Sequence, residues 1–305
     1  MFHPASLSRR RLLQALAALG LLPSSSAATA PLTRAIPSSG EALPLVGLGS
    51  WITFNVGKDA AARARCAEVM RAFFAAGGRM IDSSPMYGSS QDVIGAGLAH
   101  LGRPAALFAA DKVWTGSSER GREQLEQSRR RWGVPRFDLL QVHNLLGWEE
   151  QLPLLLAMKR AGQLRYVGIT TSEGRRHDAI ERIMGQHPID FVQVSYNVLD
   201  REVEQRILPL AQRRRIGVIV NRPFRQGELT EALARHPLPP WAAGLGCTSW
   251  AQLLLKFVIS HPAVTCAIPA TSNPLHAREN LLAAAAPLPD AALRQRIAEH
   301  VGKLA

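Results

Sequence analysis

Cysteine and tyrosine are scarce, with three of each in 305 residues. Cys66, Cys247 and Cys266 have no metal-ligand or redox spacing, which excludes a cysteine-based zinc site and a Cys-x-x-Cys dithiol. An odd count leaves at least one thiol without an intrachain partner. Cys247 with Cys266 remains an open pairing, and buried free thiols are the simpler expectation. No carboxylate pair or metal-ligand cluster supports a barrel hydrolase or isomerase, and no metal is expected. Gly47-Leu48-Gly49 is a poor match to a dinucleotide-binding turn, because no helix opens after it. Acidic residues are the scarcer charge, 24 Asp and Glu against 36 Lys and Arg, for a formal net charge of +12. The excess favours anionic ligands in general terms. Its short runs, Arg129-Arg130-Arg131 and Arg213-Arg214-Arg215, sit in amphipathic segments that read as solvated helix faces. Neither a basic stripe interleaved with aromatics nor a known motif is present, so no nucleic-acid partner is expected.

The first thirty residues read as an address. Ser8-Arg9-Arg10-Arg11-Leu12 precedes an apolar run from Ala15 to Leu22, too short to span a bilayer as a mature helix. Pro23 and a serine stretch end it, and Ala28-Thr29-Ala30 offers a small-x-small cleavage site. This pattern resembles a twin-arginine (Tat-type) signal. The expectation is a leader over residues 1–30, a mature periplasmic chain over 31–305 that starts near Pro31, and no stable membrane anchor after cleavage.

From Leu45 onward, short β-branched or apolar runs alternate with longer amphipathic segments. The candidate strands are Val46–Trp51, Met80–Ser83, Leu107–Val113, Leu139–Val142, Tyr166–Thr170, Phe191–Ser195, Val218–Asn221 and Val264–Ile268. Helical stretches such as Ala60–Ala75, Glu119–Trp132 and Glu202–Arg214 separate them. Eight such units predict parallel strands with right-handed helical crossovers, and hence a single-domain α/β fold, the (β/α)8 TIM barrel. Arg34–Leu45, turning at Ser39-Gly40, predicts a β-hairpin that closes the barrel bottom.

Active sites of such barrels collect at the C-terminal ends of the strands. Reading those ends in order gives Asp82, Tyr87, Lys112 and His143. Each has an ordinary reading in isolation: a helix cap, a solvated strand end or a satisfied core histidine. Together they are hard to assign to chance. The segments around them carry a family resemblance. Ile81-Asp82-Ser83-Ser84-Pro85-Met86-Tyr87-Gly88 with Ile94-Gly95 resembles the Asp/Tyr segment of the aldo-keto reductases. Asp111-Lys112-Val113 resembles their lysine strand, and Asp138-Leu139-Leu140-Gln141-Val142-His143 their histidine strand. Gly162-Gln163-Leu164-Arg165-Tyr166-Val167-Gly168-Ile169 resembles the approach to strand five. Ile268-Pro269 with Glu279-Asn280 resembles the C-terminal cofactor clamp. The resemblance runs from about Leu43 to Leu282.

It implies a nicotinamide-dependent reductase of aldehydes or ketones, using NADPH with NADH as the alternative. Hydride addition puts negative charge on the carbonyl oxygen, so a proton donor must stand beside it. Tyr87 would be that acid. Lys112 would lower its pKa, Asp82 would hold Lys112 charged, and His143 would donate a hydrogen bond to the carbonyl oxygen. By the same resemblance, Thr170, Thr171 and Gln193 would hold the nicotinamide carboxamide. The chain has Thr171 where the family has an amide, and Asn221 where it often has a stacking aromatic, leaving Phe224 as the nearby ring. Arg222 and Pro223 complete that segment. Ile268, Thr271, His276, Arg278, Glu279 and Asn280 would serve the rest of the cofactor, beside a helix capped by Asn273 and opened by Pro274. Trp51, Trp114 and Trp148 would line a substrate mouth kept open by the short Asn144–Gly147 loop. The rival reading is a cofactor-binding sensor or partner subunit with little turnover, against which the complete Asp82, Tyr87, Lys112 and His143 set argues.

Overall fold

The structure is a computed structural model that describes residues 30–285 and 287–305. The leader expected over residues 1–30 lies almost wholly outside the described residues. A hairpin comes first, β1 (Thr33–Ala35) antiparallel to β2 (Ala42–Pro44). Eight parallel strands follow in chain order: β3 (Leu48–Gly49), β4 (Met80–Asp82), β5 (Phe108–Val113), β6 (Leu139–Val142), β7 (Tyr166–Thr170), β8 (Phe191–Ser195), β9 (Gly217–Asn221) and β10 (Val264–Ala267). Parallel bridges Val46↔Ala267 and Gly49↔Ala270 join the last strand to the first, so the sheet closes into the expected (β/α)8 barrel. At this seam a Cβ on Gly49 would sit 2.6 Å from the Ile268 carbonyl oxygen, and only glycine permits that approach.

The outer ring contains α1 (Ala60–Ala75), α2 (Ser90–His100), α3 (Ser118–Trp132), α4 (Trp148–Arg160), α5 (His177–Gln186), α6 (Ile207–Arg214), α7 (Glu228–Leu233), α8 (Trp250–Ile259), α9 (Pro274–Leu282) and α10 (Ala291–Gly302). Helix boundaries follow local chemistry. Asp59 accepts from the Ala62 N–H at 2.9 Å to cap α1, and Gly133, at φ 63°, ends α3 in the left-handed conformation.

The two-residue period of a strand divides the apolar residues into two cores. Ile81, Ala109, Leu140, Val142, Val167, Ile169, Val192, Val194, Val218 and Val220 face outward and pack with the helices. Met80, Phe108, Leu139, Tyr166, Phe191, Ile219 and Cys266 face inward, and Ile36 and Leu43 of the hairpin join them. The hairpin thus plugs the end of the barrel where the strands begin. Arg34 holds it there, donating to the carbonyls of His261 at 2.9 Å and Ile259 at 3.2 Å. Continuing the inward register toward the other end replaces apolar side chains by Asp82, Lys112, Gln141, Thr170, Gln193 and Asn221. Strand periodicity therefore makes one end of the interior apolar and the other polar. All three cysteines are buried and free, Cys247 with Cys266 included.

Candidate active site

Asp82 is the last residue of β4, Lys112 the penultimate residue of β5, and His143 the first residue after β6. Tyr87 follows Asp82 through a tight turn in which its N–H bonds the Ser84 carbonyl at 3.0 Å. Lys112 is fully buried and forms an ion pair with Asp82, which is 2 % exposed. The ammonium also donates to the Ser83 carbonyl at 2.9 Å. The second carboxylate oxygen of Asp82 accepts from the Gln193 amide at 3.0 Å and the Gln141 amide at 3.2 Å. Asp82 is therefore saturated with donors, and the lysine is held in one place.

Above this pair stands Tyr87. The Lys112 ammonium lies 5.2 Å from its ring centre, and the His143 ring meets it edge-on with centres 5.6 Å apart. His143 is 5 % exposed, and its Nδ1 lies 2.7 Å from the Ser84 hydroxyl. Burial, with the Lys112 charge adding to it, pushes the imidazole pKa down to about 3. The ring is neutral at neutral pH. Burial would lower the Lys112 ammonium as well, but Asp82 and Tyr87 outweigh it and the net shift is upward.

Tyr87 departs from expectation. Its pKa is raised, not lowered: burial is the largest cause, and the opposing pull of Lys112 does not cancel it. Counting charges in a sequence identifies the cation that favours phenolate but not the desolvation that opposes it. The phenol consequently keeps its proton at neutral pH, with the Lys112 ammonium close to its ring.

A cavity of about 840 Å³ opens over these groups. Asp82, Tyr87, His143, Thr170, Thr171, Gln193, Asn221, Arg222, Pro223 and Phe224 line it, as do Ile268, Thr271, His276, Glu279 and Asn280. Within its wall, Asn221 is fully engaged, accepting from the Ser195 hydroxyl at 2.6 Å and donating to the Thr171 carbonyl at 2.9 Å. Thr170 accepts from the Asn144 N–H at 3.0 Å, and the Thr171 hydroxyl donates to the Arg175 carbonyl at 2.6 Å. Across the mouth, the Arg222 guanidinium lies 5.4 Å from the Trp51 ring centre and pairs with Glu173 at 2.7 Å.

A model of the aldo/keto reductase family matches residues 45–300. The chain belongs to the aldo/keto reductase family. It is an oxidoreductase of that family. Among its relatives, the methylglyoxal reductase YeaE of Escherichia coli is 28% identical over 253 residues, 81% of this chain and 88% of the relative. The NADH-specific methylglyoxal reductase of the same species is 26% identical over 233 residues, 65% of this chain and 68% of the relative. Among solved structures, the Klebsiella pneumoniae aldo/keto reductase in complex with NADP and acetate superposes with a TM-score of 0.72 at 23% identity, covering 86% of this chain and 93% of that one.

Not every candidate meets in this reductase's cavity. Trp51 lines it, but Trp114 and Trp148 do not. The Gln124 side chain ties down the Trp114 backbone at both N–H and carbonyl, and the indole stays 40% exposed. Trp148 begins α4 and packs edge-on against His187, because Gly147, at φ 58°, turns the chain away into the helix. Arg278 is an exposed residue of α9 outside the lining, whereas Glu279 and Asn280 one step round the helix are inside it. Sequence reasoning missed Ser84, Gln141, and the lining residues Glu173, Arg175, Arg176, Gln226, Ser249 and Trp250. Gln141 was within reach of the inward two-residue register that ends at His143. The loop residues carry no periodic signal.

Proposed function

We propose that this reductase transfers hydride from NADPH, or from NADH as the alternative, to the carbonyl carbon of a small aldehyde or ketone, with Tyr87 as the proton donor to oxygen. The observation that carries the reading is the buried Lys112–Asp82 pair beneath Tyr87, with a neutral His143 against its edge. Tyr87 stays protonated until charge develops on the carbonyl oxygen. Lys112, kept charged by Asp82, then stabilises the phenolate left behind. His143 donates a hydrogen bond to the same oxygen and orients it.

The residues present fit a nicotinamide dinucleotide. The cavity volume lies within the range of small-molecule sites. Thr170, Thr171 and Gln193 give the inner wall amide-binding chemistry. Arg175, Arg176 and Arg222 bring positive charge, and the first turn of α8 brings backbone donors suited to phosphates. Bound there, the reduced nicotinamide supplies the hydride. The names of relatives, methylglyoxal reductases and a reductase solved with NADP, support this class of chemistry.

The test is NADPH and NADH fluorescence on binding, followed by turnover of 4-nitrobenzaldehyde. Tyr87→Phe should abolish turnover while cofactor affinity stays nearly intact; retained turnover refutes the assignment. We also propose that residues 1–30 export the enzyme by the twin-arginine route. The support is Arg9-Arg10-Arg11, the short apolar run and the Ala28-Thr29-Ala30 site. Fractionation should recover a chain starting near Pro31 in the periplasm, and replacing the three arginines by lysine should hold it back. Full-length protein confined to the cytoplasm refutes this.

A further inference from the structure

Ser84 stands two residues after Asp82 and three before Tyr87, is fully buried, and reaches across to β6. Its hydroxyl oxygen has two polar neighbours, the Met86 N–H at 3.2 Å and Nδ1 of His143 at 2.7 Å. The first can only donate, so it occupies a lone pair on the serine oxygen and leaves the serine proton to be placed. The only acceptor within reach of that proton, among the described residues, is Nδ1. The opposite arrangement, with Nδ1–H donating to serine, would strand a hydroxyl proton in a fully buried position with nothing to receive it.

We infer that Ser84 is a positioning residue that fixes the tautomer of His143. Its hydroxyl donates to Nδ1, so the single proton of the neutral ring resides on Nε2, the nitrogen directed away from the serine toward the cavity that His143 lines. This rests on the reading of His143 as the hydrogen-bond donor to the carbonyl oxygen and supplies what that reading needs, because a neutral imidazole has one N–H and must present it on the correct side. The geometry also explains why one turn carries both groups. The Tyr87 N–H bonds the Ser84 carbonyl, so the turn that places the acid also places the serine that sets the donor. Acid and donor are thereby held in one register against the substrate oxygen.

The experiment is long-range 1H–15N spectroscopy of the histidine rings in the full mature enzyme, with the His143 signals assigned by their loss in His143→Gln. The wild type should show His143 protonated at Nε2 and bare at Nδ1 at pH 7, without change down to pH 5. Ser84→Ala should give a mixture of tautomers or the Nδ1–H form. Its kcat for 4-nitrobenzaldehyde should fall about tenfold or more, with the cofactor dissociation constant within about twofold of wild type. Ser84→Thr keeps a hydroxyl and should recover the wild-type tautomer and part of kcat. A wild-type ring protonated at Nδ1 overturns the inference even if Ser84→Ala fails to fold. So does a Ser84→Ala variant whose tautomer shifts without loss of kcat, or whose kcat falls without a shift. The spectrum needs no turnover, so failure of the reductase reading, detected through Tyr87→Phe, is distinguishable from failure here.

Discussion

Replacing Lys112 by methionine removes a charge while leaving the volume of the side chain nearly intact. In the wild type the ammonium has no exposure, and it pairs with a carboxylate that is itself 2 % exposed. Without it, Asp82 keeps only the amides of Gln141 and Gln193, at 3.2 and 3.0 Å. Stranding one member of a buried ion pair costs about 3–5 kcal/mol, so thermal unfolding should come about 10 °C earlier. The catalytic loss is separable. Coulomb's law over the 5.2 Å between the ammonium and the Tyr87 ring centre, at an effective dielectric constant of about 20, gives about 3 kcal/mol, or roughly two pK units on the phenol. Turnover should therefore fall about a hundredfold. Pairing Lys112→Met with Asp82→Asn removes the stranded charge and should restore most of the stability but none of the turnover. The assays are a circular-dichroism melt and cofactor oxidation followed at 340 nm with 4-nitrobenzaldehyde. A folded Lys112→Met enzyme within threefold of wild-type kcat, or a double variant that regains activity, would refute the role given to the cation.

Two further outcomes concern stability. His143 has a pKa of about 3 in the fold against about 6.5 in the unfolded chain, so below pH 6.5 only the unfolded state takes up this proton. Stability should fall as pH drops from 6.5 toward 3, by up to about 1.4 kcal/mol per unit from this residue. His143→Gln should flatten that slope in denaturant titrations, and an unchanged slope would show the imidazole to be charged in the native state. Gly49→Ala would place its Cβ 2.6 Å from the Ile268 carbonyl, so the closing seam must shift. A loss of about 1–3 kcal/mol is expected in urea unfolding, and a neutral result would mean that the seam yields freely.

Strand periodicity made most of the barrel legible. Leu139–Val142, Tyr166–Thr170 and Phe191–Ser195 appear with the predicted limits, and the hairpin turns where Ser39-Gly40 placed it. The misses have physical causes. Val46–Trp51 shrinks to Leu48–Gly49, because the closing strand touches β10 only at isolated bridges and turns again at Trp51, whose carbonyl bonds the Thr53 N–H at 2.7 Å. Glu202–Arg214 breaks into a 3₁₀ turn and α6 at Arg206, whose φ and ψ of −130° and −50° are not helical. The four groups of the site were readable because strand ends of a barrel converge by symmetry, so topology alone brings them together. Burial is another matter. It depends on what packs around a residue, and that is why the direction of the Tyr87 shift and the places of Trp114 and Trp148 were lost.

That burial decides how the enzyme should respond to pH. A phenol shifted above its ordinary range holds its proton throughout the neutral region, so the acid form that the proposed mechanism uses is fully populated there. His143, bare of any extra proton down to about pH 3, adds no acid limb. Lys112, shifted upward, stays charged. Tyr87, His143 and Lys112 thus keep their states between pH 5 and 8. The group that titrates there is the buried Asp111 beside Lys112, its carboxyl pushed up to about 7 by desolvation. For carbonyl reduction at saturating cofactor, kcat/KM should change only modestly across that window, through Asp111 acting on Lys112 and Tyr87, and decline on the alkaline side as the phenol ionises. Alcohol oxidation needs the phenolate instead, so its rate should climb with pH over the range where reduction declines. Because the positive ring of the oxidised nicotinamide favours phenolate, the oxidation midpoint should lie at or below the reduction midpoint. A complete loss of reduction as pH rises from 5 to 8, rather than a modest change, would mean that a group other than Tyr87 supplies the proton. An oxidation midpoint above the reduction midpoint would mean that acid and base are different residues.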